Sequence, residues 1–159
     1  LGTSSKRFQD LYLSGGLYVG GTGSSNYLDD YEEGTHTTTL TLGSGSATMS
    51  KDKLYYTKIG RVVHIIGTIR ISSVSSPSGD LSFSVPFVHV TTTDGEAQAG
   101  AAILTNVVAT GQNRDFYLEQ SEGQSKFFVY DAASTALTNA GDMLKANTTL
   151  RINYSYHTA

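Results

Sequence analysis

The feature that most constrains this chain is the two-residue period of its apolar side chains, sharpest between Val62 and Ile71. Val63, Ile65, Ile69 and Ile71 fall on one side of an extended segment, and Val62, His64, Ile66, Thr68 and Arg70 fall on the other. Successive side chains of a strand point to opposite faces. This stretch therefore buries one face fully and half covers the apolar end of the other, the pattern of a central strand. The same alternation recurs in Leu40 and Leu42, from Lys53 to Ile59, in Leu81, Phe83 and Val85, and briefly in Phe87-Val88-His89-Val90. It returns from Asp115 to Glu119, from Lys126 to Tyr130, and in Leu150, Ile152, Tyr154 and Tyr156. Ala97 to Thr105 reads as a strand of small residues, which implies close approach of its backbone to a neighbour.

Turn-forming residues separate these runs. Gly43-Ser44-Gly45-Ser46 and Ser72 to Asp80, with Pro77 and Gly79, read as loops. Gly60-Arg61, Thr91 to Gly95, Gly111 to Arg114 and Ser121 to Gln124 read as turns. Asp131 to Ala146 has some helical propensity, but Ser134, Thr135, Thr138, Asn139 and Gly141 dilute it to a long loop with one helical turn. The expectation is an all-β chain: an antiparallel jelly-roll-like β-sandwich of about eight short strands. It is preceded by a short N-terminal β-hairpin stalk segment, with residues 1–34 as stalk and 35–159 as head.

Composition closes off several classes of function. The chain has no Cys, which removes disulfides, thiolate metal sites and cysteine nucleophiles. A net charge of −3 gives no electrostatic support to nucleic-acid binding. No apolar run reaches the length of a membrane span, so no membrane insertion is expected. Neither an initiator Met nor a signal-like segment opens the sequence, which points to a piece of a longer protein.

The first 34 residues behave differently from the rest. Leu11, Leu13, Leu17 and Val19 alternate with Tyr12, Tyr18 and small residues around Ser14-Gly15-Gly16. A three-residue loop there sets Leu13 against Leu17 and Leu11 against Val19, with a glycine at positive φ. A lone two-stranded hairpin is marginally stable in water, so this apolar face calls for a partner, and an identical copy is the simplest one. Leu11, Leu13, Leu17 and Val19 are thus the expected trimerisation residues. After the Gly/Ser-rich run Gly20 to Asn26, the segment Tyr27 to Gly34 packs Asp29, Asp30, Glu32 and Glu33 together. Such a cluster would suit calcium. Without a recognised ligand spacing it reads better as a solvated joint anchored by Tyr27, Leu28 and Tyr31.

The run LGTSSKRFQDLYLSGGLYVGGTGSSNYLDDYEEGT resembles the junction at which bacteriophage tail fibres and related virion appendages pass from a repetitive β-stalk to a C-terminal head. Tyr56-Thr57-Lys58-Ile59-Gly60, Gly67-Thr68-Ile69 and the last strand, Leu150 to Tyr156, are similar to parts of such heads. The resemblance implies a virion protein, a homotrimer continuous with the rest of the fibre, and a host-cell-surface receptor. A non-receptor structural or decorating appendage, such as a capsid or neck fibre, is the alternative.

No catalytic signature accompanies it. His36, His64, His89 and His157 show no metal-binding spacing, no nucleophile elbow occurs, and acidic pairs such as Asp80 with Asp94 or Asp115 with Glu119 have no defined groove. The expectation is a non-enzymatic protein without cofactor or metal. Its surface chemistry is that of tyrosines among Asn, Ser, Thr and Asp. Asn113, Arg114, Asp115 and Tyr117 form the candidate edge for a glycan, offering a flat ring and planar hydrogen-bonding groups.

Overall fold

The computed structural model describes residues 3–28, 30–94, 97–108, 115–131 and 139–158. Ten strands account for most of it. Strands β1 (Leu17–Tyr18) and β2 (Tyr27–Leu28) form a small antiparallel pair. The other eight share one antiparallel sheet: β3 (Tyr31–Thr37), β4 (Leu40–Lys51), β5 (Lys53–Ile59), β6 (Val62–Ser84), β7 (Gln98–Thr105), β8 (Phe116–Gln120), β9 (Lys126–Asp131) and β10 (Thr149–His157). The expected all-β architecture holds. One helical turn, α1 (Ala140–Met143), lies in the expected loop and is capped by Asn139, whose side chain accepts from the Gly141 N–H.

The alternating segment from Val62 is the spine of the sheet, and it is longer than the sequence pattern indicates. Strand β6 runs for 23 residues, straight through the Ser72 to Asp80 stretch expected to be a loop. Strands β4 and β5 lie end to end along the same edge of β6, so that residues 40–59 and 62–84 make one long hairpin closed at Gly60-Arg61. Gly43 to Ser46, also expected to be a loop, is paired within it. The physical reason is a series of β-bulges. Ser44 opposes Ser78 and Ser46 opposes Ser75, leaving two residues, Ser76 and Pro77, opposite Gly45 alone. A bulge tolerates proline and uses residues at positive φ, and Ser76 (44°), Gly45 (80°) and Gly79 (71°) supply them.

The two ends of β6 then close the sheet on itself. Residues 62–70 pair with β10, and Ser82–Ser84 pair with β9. The circuit is completed by β10 to β7, β7 to β8 and β8 to β9. Inside it pack Val63, Ile65, Ile69, Ile71, Leu81 and Phe83 of β6 with Leu118, Phe127, Val129, Leu150, Ile152, Tyr154 and Tyr156. Met143 and Leu144, beside α1, join this core. The close approach expected of the small-residue strand is present at Gly100, where an added Cβ would lie 2.4 Å from the Tyr154 ring. Outside the circuit, β3 pairs with β5 along the edge.

The N-terminal hairpin differs in register from expectation. Leu17 pairs with Leu28 and Tyr18 with Tyr27, so the hairpin closes around Val19 to Asn26 and not around Ser14-Gly15-Gly16. Two tyrosines decide this. The Tyr18 and Tyr27 rings pack with centroids 4.7 Å apart, and the Tyr27 hydroxyl accepts from the Gly16 N–H, occupying the loop that would have turned the chain. Asn26 adds a bond from its side chain to the Val19 carbonyl. Leu11 and Leu13 lie outside any strand.

Candidate functional site

Strands β8 and β9 form a hairpin over the turn that follows Gln120, and their alternation sends Phe116, Leu118, Phe127 and Val129 inward. Tyr117, Glu119, Phe128 and Tyr130 are left on the outer face. The register sets Tyr117 directly against Tyr130 and Glu119 against Phe128. The two tyrosine rings stack almost flat, with centroids 5.0 Å apart and an interplanar angle of 9°. The Tyr130 hydroxyl donates to Glu119 Oε1 at 3.1 Å. The Lys126 ammonium stands over the Phe128 ring, 4.8 Å from its centroid.

Partial burial raises the Tyr130 phenol to a pKa of about 12, reinforced by the Glu119 carboxylate, Tyr117 and Asp80. The phenol therefore stays protonated, and stays a donor, throughout the physiological range. Asp115 is exposed and borders an open depression of about 360 Å³ shared with Ala101 to Leu104 and Phe116. Chemically the face combines a flat double ring, one carboxylate already holding a phenol, and one free-standing carboxylate at the rim. Flat rings of this kind can cover C–H groups, and carboxylates can accept from hydroxyls.

Of the residues expected at this edge, Tyr117 sits in the stacked pair and Asp115 at its rim. Asn113 and Arg114 lie outside the described residues. Tyr130 was not singled out in the sequence, and Glu119 entered only as an acid paired with Asp115, although strict alternation across the β8–β9 turn places both on Tyr117's face. Only the register makes Tyr130 its neighbour. Elsewhere, three of the four residues of the acidic cluster have protein partners: Asp30 pairs with Lys58, Glu32 accepts from the Tyr56 hydroxyl and Glu33 from the Tyr31 hydroxyl, while Asp29 lies outside the described residues. The histidines are dispersed. His36 bonds the Ser84 hydroxyl and His64 the Ser155 hydroxyl, both at 2.9 Å, and His157 contacts Gln98. His89 is buried, with neither ring nitrogen bonded to the protein. Leu11, Leu13, Leu17 and Val19 are all exposed, at 42–59% of their full area.

No protein-family model matches the chain, and no curated protein matches it. Among solved structures, the Dettilon tailspike protein (gp208) matches over 80% of this chain with a TM-score of 0.64 and 18% identity. This chain shares its fold with part of a tailspike. The match spans 23% of that protein's length, and at this identity the likeness is one of fold.

Proposed function

We propose that this chain is the stalk junction (1–34) and head (35–159) of a bacteriophage tail appendage, assembled as a homotrimer, that attaches the virion to a glycan on the host-cell surface. The observation that carries the reading is the tailspike-like fold over 80% of the chain. It agrees with the virion-appendage junction motif read from residues 1–34. The Tyr117–Tyr130 pair with Glu119 and Asp115 supplies the sugar-facing chemistry; Asn113 and Arg114, which precede Asp115 in the sequence, are proposed to contribute with them. A single shallow site of this kind binds weakly. Three linked copies raise the avidity by ~10²–10⁴ where the geometry allows simultaneous engagement.

The test is binding of the purified, fluorescently labelled chain to a panel of bacterial strains, beside a variant with Asn113, Arg114 and Tyr117 all replaced by Ala. Binding to some strains, lost in the variant, supports the reading. Binding that persists unchanged in the variant moves the site elsewhere on the head. A wild-type chain that ignores every strain favours the structural or decorating appendage. Release of reducing ends from the surface polysaccharide of a bound strain would instead make the head an enzyme.

A further inference from the structure

The outer face of the sheet built from β3, β5, β6 and β10 changes character along its strands. At one end the register aligns Tyr31, Ile59, Val62 and His157. At the other it sets Thr37 beside Lys53, Thr68 beside Arg151, and Lys51 opposite Arg70. Between Lys51 and Lys53 the run of β4 into β5 breaks at Asp52, whose backbone carbonyl accepts from the Thr38 N–H at 2.8 Å. The break opens a cleft of about 440 Å³ lined chiefly by Ser50, Lys51, Asp52, Lys53, Tyr55 and Thr68.

Four of the chain's 11 basic side chains gather at this end. Among the described residues none of the four is in an ion pair. Lys53 donates to the Thr37 hydroxyl, and Arg70 donates to Asn147 Oδ1 at 3.0 Å. Asp52 is the one carboxylate in the lining. On a chain of net charge −3 this is an excess of positive charge held at one place by register. Beside it the Tyr55 side chain, 58% exposed, lies next to Ile66 on the neighbouring strand and makes an apolar platform.

We infer that this cleft binds a sugar unit carrying an anionic group, a carboxylate or a phosphate. The Tyr55 ring covers the apolar face of the sugar, Lys51 and Lys53 with Arg151 take the anion, and the Ser50 and Thr68 hydroxyls meet sugar hydroxyls. The choice of a sugar rests on the proposed function. The requirement for an anion rests on the cation cluster alone, and the cleft is distinct from the Tyr117 face.

The experiment is a titration of the isotopically labelled full chain, followed by NMR, with trigalacturonate, glucose 6-phosphate, inorganic phosphate and maltotriose. The expected result is movement of amide signals between Ser50 and Tyr55 and at Thr68 with the two acidic saccharides, and roughly tenfold weaker binding of phosphate and maltotriose. Lys51→Ala with Lys53→Ala is expected to weaken the acidic saccharides by about tenfold, the equivalent of two exposed charge contacts, with an unchanged melting temperature. Raising the salt to screen exposed charges should weaken them in the same direction. Tyr55→Ala should weaken the saccharides and leave phosphate unaffected. Phosphate binding as tightly as the saccharides overturns the sugar, maltotriose binding as tightly overturns the anion, and unmoved signals in this cleft overturn the site. None of these outcomes bears on cell binding by the Tyr117 edge, which fails or succeeds independently.

Discussion

At Gly100 a missing side chain decides the packing. Strand β7 lies beside β10 where the Tyr154 ring fills the space a Cβ would take, and the Tyr154 hydroxyl donates to the Gln98 carbonyl at 3.1 Å. Gly100→Ala overpacks this contact, with an expected loss of about 1–3 kcal/mol measured by denaturant unfolding. In a Tyr154→Leu background the same substitution should cost less, because the ring is gone, and an undiminished cost would contradict the contact. The small residues of β7 announced such an approach in the sequence. Its partner did not show, since Tyr154 is more than fifty positions away and looks like any inward strand residue. The tyrosines also set a pH limit. Burial, the leading cause in each case, raises Tyr130 and Tyr154 to about 12 and Tyr156 further still, above the ordinary value of 10.0. Folded-state values above unfolded ones mean that the unfolded chain releases its protons first as the pH rises. The contribution is fully present below pH 10 and is lost through about 12. The expected outcome is a falling denaturation midpoint across that window, with these phenols ionising as the fold is lost. Ionisation of all ten tyrosines near pH 10 with the fold intact would count against their burial.

At the scale of elements, the long hairpin of β4, β5 and β6 shows where local sequence stops being informative. Its inward residues were legible by their period. The Ser/Gly/Pro segments 43–46 and 72–80 were not, because a free loop and a bulged ladder draw on the same residues. What distinguishes them is the opposing strand, and its register is a long-range property. The glycines offer a direct check. Gly45 and Gly60 both have positive φ, 80° and 55°. A Cβ at Gly45 would meet the Ser76 carbonyl oxygen at 2.1 Å, whereas one at Gly60 meets nothing within 4 Å. Gly60→Ala should therefore cost only the left-handed backbone, on the order of 1–2 kcal/mol, and Gly60→Asn less. Gly45→Ala adds a backbone clash that cannot relax without breaking the bulge. Its melting temperature should fall clearly below that of Gly60→Ala. Equal losses would mean that residues 43–46 and 75–79 separate readily in solution.

At the scale of the whole molecule, closure of the sheet was invisible in the sequence. Alternation assigns faces to strands, but not the insertion of the last strand, β10, between β6 and β7. The N-terminal segment poses the converse problem, because its apolar residues were legible and among the described residues nothing covers them. Phe8, Leu11, Leu13, Leu17 and Val19 are exposed, and among the described residues no hydrogen bond joins 3–28 to the sheet. Tyr31, Ile59 and Val62 extend the exposed apolar surface onto the sheet where that segment enters it. This exposed apolar surface is what the proposed contact between copies would cover. Under the proposed homotrimer the leader residues of three copies cover one another, each buried side chain contributing about 1.5–3 kcal/mol. Light scattering at micromolar concentration is then expected to give three chain masses, and a monomer mass would refute the assembly. Deleting residues 1–23 removes the leader strand and leaves every strand of the closed circuit. The truncated chain should keep its β-type circular dichroism and unfold cooperatively, with a lower melting temperature that rises with protein concentration. Loss of cooperative unfolding would show instead that leader and head fold as one unit. If the truncated chain remains a concentration-independent trimer, the Tyr31, Ile59 and Val62 row holds the copies together, and Val62→Asp should then dissociate them.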